Sequence, residues 1–451
     1  MTMAQSGQFS SRIGFIMAAA GSAVGVGNIW GFPTQAASHG GGAFLLVYLL
    51  LILVLGYPML LAELMIGRHG QTNPADAMAK VAHGRRGKSI GTAIGLFSII
   101  TASLICTFYS ILSGWFVSFA MAPVAQIAGL ASLSAWLMDF SLSRNLVFTL
   151  VFIGLVILVI RQGVQQGIER WSKRLMPLLL LILLAGVGYI LTQEGAMTGL
   201  SVLLQPDFSR VLDADVLISA LGQTFFSLTI GTGAMMVYGA YVSQRENLAS
   251  LTAYVTLTDT CVAFLAALMV LPAMYVAQQN GVQIFASDGS LLNADTLVFT
   301  VLPALFTTLG GISQYLIALI FFVLMTIAGL TSAISIVEVP TSYLVEKTRL
   351  TRHQATGVVG VIIAALSVLV VCFFDRLFGA LITLTTERAQ PLIALAIAIY
   401  VGWIWDRKQL LAEISRQEGV DTQHWFWRLW PVYVQYVCPV LIVVIIVQLL
   451  Q

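Results

Sequence analysis

Apolar stretches long enough to cross a bilayer alternate with short polar ones from end to end of the chain. About twenty apolar residues span the hydrocarbon as a helix. Runs of that kind lie near 13–37, 43–66, 90–123, 146–160, 175–191, 216–241, 251–277, 314–344, 355–373, 378–405 and 432–450. The pattern predicts an all-α polytopic membrane protein with eleven transmembrane helices, a single membrane domain over residues 1–451 and no soluble domain. Two of the helices carry a flaw mid-span. The first contains AGSAVGVGNIWGFP, Ala20 to Pro33, with Gly25 and Gly27 one residue apart, Asn28 beside them, and Gly21 and Gly31 on either side. Glycine inside a helix costs about 1 kcal/mol relative to alanine, so the helix is expected to stop there. The other reading is a glycine seam for close helix packing. The sixth span repeats the device in QTFFSLTIGTGAMMVYGAY, Gln223 to Tyr241, where Gly231 and Gly233 follow Ser227 and Thr229. Freed peptide groups are tolerated at membrane depth only where they face protein or a cavity. Interrupted helices five spans apart point to an inverted 5+5 repeat, about 13–191 and 216–405, with a site at the midplane and an extra helix at about 430–450.

Composition narrows the class. Of 451 residues, 58% are hydrophobic and 9% charged, with a mean hydropathy of +0.91. A net charge of +2 without a basic tract argues against nucleic acid as a partner. The first apolar run is the glycine-broken one, so no cleavable signal peptide is expected. With a cytoplasmic N-terminus the inner loops collect most of the Lys and Arg, while the outer loops hold only Arg144, Arg210 and Arg376. The positive-inside rule then predicts a bacterial inner-membrane protein with its N-terminus cytoplasmic and its C-terminus outside. Residues 192–214 and 278–313 become external loops, the latter with a polar stretch (Asn280–Thr296) suited to a cap. Residues 69–89 are expected to lie along the inner surface, and 406–429 form a charged inner linker. Cys106, Cys261, Cys372 and Cys438 fall inside apolar runs without metal-ligand spacing and are expected to be buried packing residues.

Four carboxylates fall within predicted spans: Glu63, Asp259, Glu338 and Glu387. Each is costly unless it faces a partner or water. Asp259 sits in TLTDT beside Thr256, Thr258 and Thr260, an oxygen-rich setting that suits a hard cation. Thr331 and Ser332 in AGLTSAIS offer adjacent hydroxyls, although such groups also bond back to their own helix. Glu63 is expected to accept hydrogen bonds from freed N–H groups of the first helix, with ion binding as the alternative. Glu387 and Arg388 are adjacent and do not face each other, so one would line an aqueous vestibule while the other pairs across the bundle. Gly167 and Pro177 bracket the start of the fifth helix, whose inner half either unwinds or simply begins there. His39, His69, His83, His353 and His424 lie in loops or at helix ends with no HExxH, which argues against an enzyme.

SRIGFIMAAAGSAVGVGNIWGFP (Ser11–Pro33), GGGAF (Gly40–Phe44), the GTG at Gly231–Gly233 and AGLTS (Ala328–Ser332) together resemble the neurotransmitter:sodium symporters. The resemblance covers nearly the whole chain and includes eleven-helix bacterial members and the bacterial leucine transporter. It implies a sodium-coupled symporter in the lipid bilayer that imports a neutral amino acid by alternating access. Two Na+ sites and no obligate protein partner follow. The first sodium site would use the Ala23 carbonyl with Asn28, Ser227, Asp259 and the substrate carboxylate. The second would use carbonyls of Gly21, Val24 and Ala328 with the hydroxyls of Thr331 and Ser332. The substrate carboxylate would meet N–H groups of Val26 and Gly27 and the Tyr109 hydroxyl. Its ammonium would meet carbonyls of Ala23 and Phe226 and the Thr229 hydroxyl. Ile105, Leu112, Phe226, Thr232, Ser332 and Ile336 would line the side-chain pocket, which carries no charge.

The departures shape further expectations. The leucine transporter has Asn at the Asp259 position and a carboxylate one turn later, where this chain has Ala263. Asp259 is therefore expected to supply the charge that animal relatives take from chloride, and to be protonated on the return step. Thr232 replaces a pocket aromatic. Gly31 replaces an outer-gate arginine and no carboxylate partner is evident near Phe378, which leaves that gate to Phe226 and Tyr109. The inner-gate Arg and Trp positions read Ser6 and Phe9 while Glu346 remains, so an Arg12–Glu346 pair is the expected substitute. Gly167 and Pro177 match a helix-five motif associated with hydrating and releasing the second sodium. The rival class is a non-transporting amino-acid sensor that keeps this fold, disfavoured by the lack of an output domain.

Overall fold

The computed structural model describes residues 7–284, 297–308, 311–417 and 424–449, and every regular element among them is helical. Ser6 and residues 285–296, most of the expected external cap, lie outside the described residues. The chain starts with α1 (Arg12–Ala23) and α2 (Gly27–Ser38), which meet at 54°. Next come α3 (Gly42–Gly70), α4 (Pro74–Val81), α5 (Gly84–Ile127), α6 (Ala131–Met138) and α7 (Leu142–Ile160). Then follow α8 (Val164–Leu191), α9 (Ala196–Leu204), α10 (Ala214–Ser227), α11 (Ala234–Ala240) and α12 (Leu248–Gln279). The chain closes with α13 (Leu297–Thr308), α14 (Ser313–Lys347), α15 (Arg352–Cys372), α16 (Phe374–Ile404), α17 (Arg407–Ser415) and α18 (Trp425–Leu449). Eight of these helices are long and apolar enough to cross a membrane, ten if each bent pair counts as one span. The predicted sixth span is present as α10 and α11, each too short to cross alone.

Both glycine-marked stretches are breaks. After Ala23 the chain turns extended at Val24 (φ −71°, ψ 105°), and helix resumes at Gly27. Between α10 and α11 it passes through Thr229 (φ 53°), Gly231 (φ 87°) and Gly233 (φ 78°). Glycine takes positive φ without steric cost, and a Cβ on Gly231 would lie 2.6 Å from the Gln390 carbonyl oxygen. Thr229 is β-branched and sits in the left-handed region, a strain of about 1–3 kcal/mol that concentrates at functional sites. A glycine seam does exist, but elsewhere. A Cβ on Gly67 would overlap the Met236 carbonyl, and one on Gly239 the Leu64 carbonyl, so α3 and α11 touch backbone to backbone.

Several expectations need correction. Residues 69–89 do not simply lie on a surface. Asn73 caps α4 through the N–H groups of Ala75 and Asp76, and Gly91 and Gly95 of α5 let α4 bury Ala75, Ala77 and Met78 against that helix. Within the loop 192–214 lies a helix, α9, whose Gly199 packs on Pro272. Cys106 and Cys438 are buried, but Cys261 and Cys372 are exposed, because they occupy outward faces of α12 and α15 where an apolar residue suits lipid. At the start of α8 a wide turn, Val164–Glu169, contains Gly167, and Pro177 sits inside continuous helix. The inner half of this helix is wound.

Candidate functional site

Unwinding of the two helices brings three polar side chains together around Asp259 of α12. The Asp259 carboxylate is completely buried. It accepts hydrogen bonds from Asn28 Nδ2 (2.7 Å) and from the Ser227 hydroxyl (2.8 Å), with the Tyr48 hydroxyl at 3.5 Å. Asn28 Nδ2 also donates to Ser227 Oγ at 3.0 Å, while its Oδ1 accepts the Gly25 N–H, one of the groups freed by the first break. Ala23 lies nearby as a lining residue of the same enclosed pocket. Tyr48 belongs to this cluster, which sequence reasoning missed: a tyrosine in an apolar run reads as packing, and its ring does stack among Phe32 and Phe44.

A second oxygen cluster joins α1 to α14. The Ser332 hydroxyl donates to the carbonyls of Val24 (3.0 Å) and Gly21 (3.3 Å), both near the end of α1. The Thr331 hydroxyl donates to Ala328 O at 3.1 Å and Ile327 O at 3.0 Å on its own helix. Six oxygens thus gather where α1 stops, and every one is an uncharged ligand atom of the kind that suits a hard cation. The second cluster presents only oxygens, whereas in the first Asn28 turns its amide nitrogen toward Asp259 and its Oδ1 toward the Gly25 N–H.

Between the clusters lies an enclosed pocket of about 20 Å³, lined by Ala23, Gly27, Ile105, Tyr109, Phe226, Thr229, Thr232, Ser332 and Ile336 together with Ser22, Asn28 and Gln390. A larger cavity of about 430 Å³ sits on the far side of Phe226 and reaches Trp30, Gln35, Ser219 and Glu387. Val26 and Leu112 line this outer cavity rather than the enclosed pocket, while Gly27, Tyr109 and Phe226 line both. The Tyr109 hydroxyl accepts the Val26 N–H at 3.2 Å. Gln223 adds a bridge from α10 to the first break, its Nε2 donating to Gly27 O at 3.0 Å.

The model of the sodium:neurotransmitter symporter family matches residues 6–130 and 138–451. The chain belongs to that family. It is 33% identical over 458 residues to the sodium-dependent transporter YhdH of Bacillus subtilis, covering 98% of this chain and 97% of the relative. A sodium-dependent transporter of Haemophilus influenzae is 31% identical over 465 residues, with coverage of 98% and 97%. The crystal structure of MhsT in complex with L-phenylalanine superposes with a TM-score of 0.84 at 33% identity, covering 98% of this chain and 99% of that one. As a member of this symporter family the chain is a multi-pass, sodium-dependent secondary transporter and not an enzyme.

The symporter's remaining polar groups are arranged differently from expectation at three places. Arg12 does not pair with Glu346: its guanidinium lies over the Tyr254 ring at 5.4 Å. Glu346 instead accepts from Thr72 Oγ1 (2.5 Å), Asn73 N–H (2.9 Å) and Asn73 Nδ2 (2.6 Å), because it faces the capped start of α4. Glu63 serves the second break and not the first, its Oε1 accepting the Gly231 N–H at 2.6 Å. Glu387 lines the outer cavity, and Arg388 is exposed beside it. Glu338 is paired with Arg352 (2.7 Å) and accepts from the Tyr241 hydroxyl (2.6 Å).

At the end that carries the N-terminus the bundle is shut by Phe9, whose ring meets Phe15, Tyr238 and Tyr241 and whose N–H donates to Tyr241 O. Glu169 of the wide turn latches the same segment. It accepts from the Ser10 N–H (2.7 Å), the Ser10 hydroxyl (2.6 Å) and the Ser11 hydroxyl (3.1 Å). Replacing Glu169 by glutamine weakens these bonds. In a background without the native cysteines, Tyr241→Cys should then react about tenfold faster with a thiol reagent applied from that side. An unchanged labelling rate means the latch does not hold this end closed.

Proposed function

We propose that this symporter imports a neutral amino acid together with sodium ions bound at two sites, by alternating access and without chloride. The observation that carries the reading is that both helix breaks line one pocket, with the Asp259 cluster on one side and the oxygens around Thr331 and Ser332 on the other. The groups around the pocket suit a zwitterion. The Gly27 N–H where helix α2 begins, the Val26 N–H and the Tyr109 hydroxyl to which it donates favour a carboxylate. Three acceptors, the carbonyls of Ala23 and Phe226 and the Thr229 hydroxyl, match the three protons of its ammonium. The uncharged lining supports a neutral side chain. Sodium at Ala23, Asn28, Ser227 and Asp259 would share the substrate carboxylate, so each ligand raises the affinity for the other by the same factor. Sodium at Gly21, Val24, Ala328, Thr331 and Ser332 would tie α1 to α14. The open outer cavity, with Phe9 shutting the other end, supports an outward-facing state in which only Phe226 and Tyr109 separate pocket from cavity. In this reading α10 and α11 form one broken span, the spans number eleven in an inverted repeat, and the N-terminus is cytoplasmic in a bacterial inner membrane.

Vesicles holding the purified protein and given an inward sodium gradient should accumulate a neutral amino acid, and binding without accumulation would instead support a sensor. In the same vesicles the double variant Thr331→Ala with Ser332→Ala should raise the sodium concentration for half-maximal uptake by about tenfold, as two ligand oxygens are lost. Unaltered sodium dependence removes these hydroxyls from the site.

A further inference from the structure

Gln390 of α16 borders the enclosed pocket and is 2% exposed. Its Nε2 donates to the carbonyl of Ile230, inside the second helix break, at 3.2 Å. Its Oε1 is buried and has no hydrogen-bond partner. Rotating the amide would set Oε1 against the Ile230 carbonyl, acceptor facing acceptor, so the anchoring bond determines which atom is left over. A buried amide oxygen without a donor is costly, and such an atom at the edge of a binding pocket points to a donor on the ligand.

No neighbouring group makes that bond, and two other hydroxyls lining the pocket, those of Ser22 and Thr229, are likewise unpaired. The Thr232 hydroxyl donates to Thr229 O at 2.8 Å, and the Ser332 hydroxyl is committed to Val24 and Gly21. On the reading above, the ammonium of the substrate has its three acceptors already, in Ala23, Phe226 and Thr229. Gln390 is a fourth, and it packs on the same loop that presents Thr232: a Cβ on Gly231 would lie 2.6 Å from its backbone oxygen.

Resting on the amino-acid reading above, we propose that Gln390 is a specificity-determining residue whose side-chain oxygen accepts a hydrogen bond from a hydroxyl on the substrate side chain, and that the cargo is a hydroxyl amino acid. A site built to bond a hydroxyl rejects the isostere that lacks it, because its own polar atom is then left unpaired.

Threonine and valine have nearly the same shape and differ in this one group, so they make the test. Binding to the purified full-length protein in sodium is measured for both by calorimetry. Wild type should bind threonine at least about tenfold more tightly than valine, and Gln390→Leu should bring the ratio to about one while valine affinity holds or improves. Gln390→Met, which keeps the length of the side chain, repeats the measurement if the leucine variant does not elute as a single species. A wild-type ratio near one overturns the proposal. So does an equal loss of both ligands in the variants, which would place Gln390 at the shared backbone groups. If no amino acid binds, the amino-acid reading fails along with it; if only larger apolar amino acids bind, that reading stands and this one falls.

Discussion

Replacing Asp259 by alanine should abolish sodium-stimulated uptake, lowering it at least about a hundredfold. The carboxylate is fully buried, and its partners Asn28 and Ser227 come from the two different helix breaks. Deleting it removes the one formal charge of the first cluster and strands two buried donors. Each lost hydrogen bond to the charged group costs about 1.5–3 kcal/mol, which for two bonds at about 1.4 kcal/mol per decade is two orders of magnitude or more in affinity. The variant is assayed beside wild type in vesicles, after gel filtration has shown it to be a single species. Sodium-stimulated uptake that persists in the variant places the ion elsewhere. On the proposed reading the same charge stands in for chloride, so exchanging chloride for gluconate should leave wild-type uptake unchanged. A transporter that stops in gluconate draws its anion from solution and not from Asp259.

The second large effect lies at the other end of the molecule. Arg68, at the end of α3, is completely buried, and its Nε donates to Glu413 of α17 at 2.8 Å. Its remaining nitrogens go to backbone carbonyls, Nη1 to Glu246 at 2.8 Å and Nη2 to Glu413 at 3.3 Å. Helix α17 turns 97° away from α16, so Glu413 lies outside the bilayer-crossing segments, and the pair pins α17 to the end of α3 and to the connection between α11 and α12. Glu413→Ala leaves the guanidinium buried without a counter-charge and should destabilise the protein by about 3–5 kcal/mol, read as a fall in melting temperature in detergent. Arg68→Met combined with Glu413→Leu should recover most of that loss, because the apolar pair needs no desolvation of charge. A Glu413→Ala protein that melts with wild type would mean the pair carries no net stability. Burial by itself would raise the Glu413 carboxyl, but the hydrogen bonds and charge of His69 and Arg68 outweigh it and hold it below its usual value of 4.5. A depressed acid stabilises the fold above that value and loses its contribution as the pH falls below it. The Glu413→Ala variant should therefore differ from wild type less in strong acid than at neutral pH.

Much of the candidate site could be read from residues close together in the chain. Gly25 with Gly27, and Gly231 with Gly233, mark the breaks because helix propensity is local, and Asp259 stands out because a charge in an apolar run is conspicuous. Partners distant in the chain were harder. The resemblance implies an Arg12–Glu346 pair at the inner gate, whereas Glu346 faces the capped start of α4 and Arg12 an aromatic ring. Glu63 was assigned to the nearer break and serves the farther one. Gln390 was passed over beside its charged neighbours Glu387 and Arg388, since an uncharged amide in a span carries little signal until its free oxygen is seen against a pocket.

What the sequence alone determined is the medium and the places where helix fails: runs of apolar residues require a bilayer, and paired glycines, lacking a Cβ, weaken the helix wherever they stand. Which groups meet at those gaps was decided by the tertiary structure. Packing joins Asn28 to Ser227 and Asp259, Ser332 to the end of α1, and Gln390 to Ile230 across a separation of 160 residues. Helix propensity acts over a few residues, whereas a binding site is made by the burial of polar atoms that only the packed bundle brings within hydrogen-bonding distance.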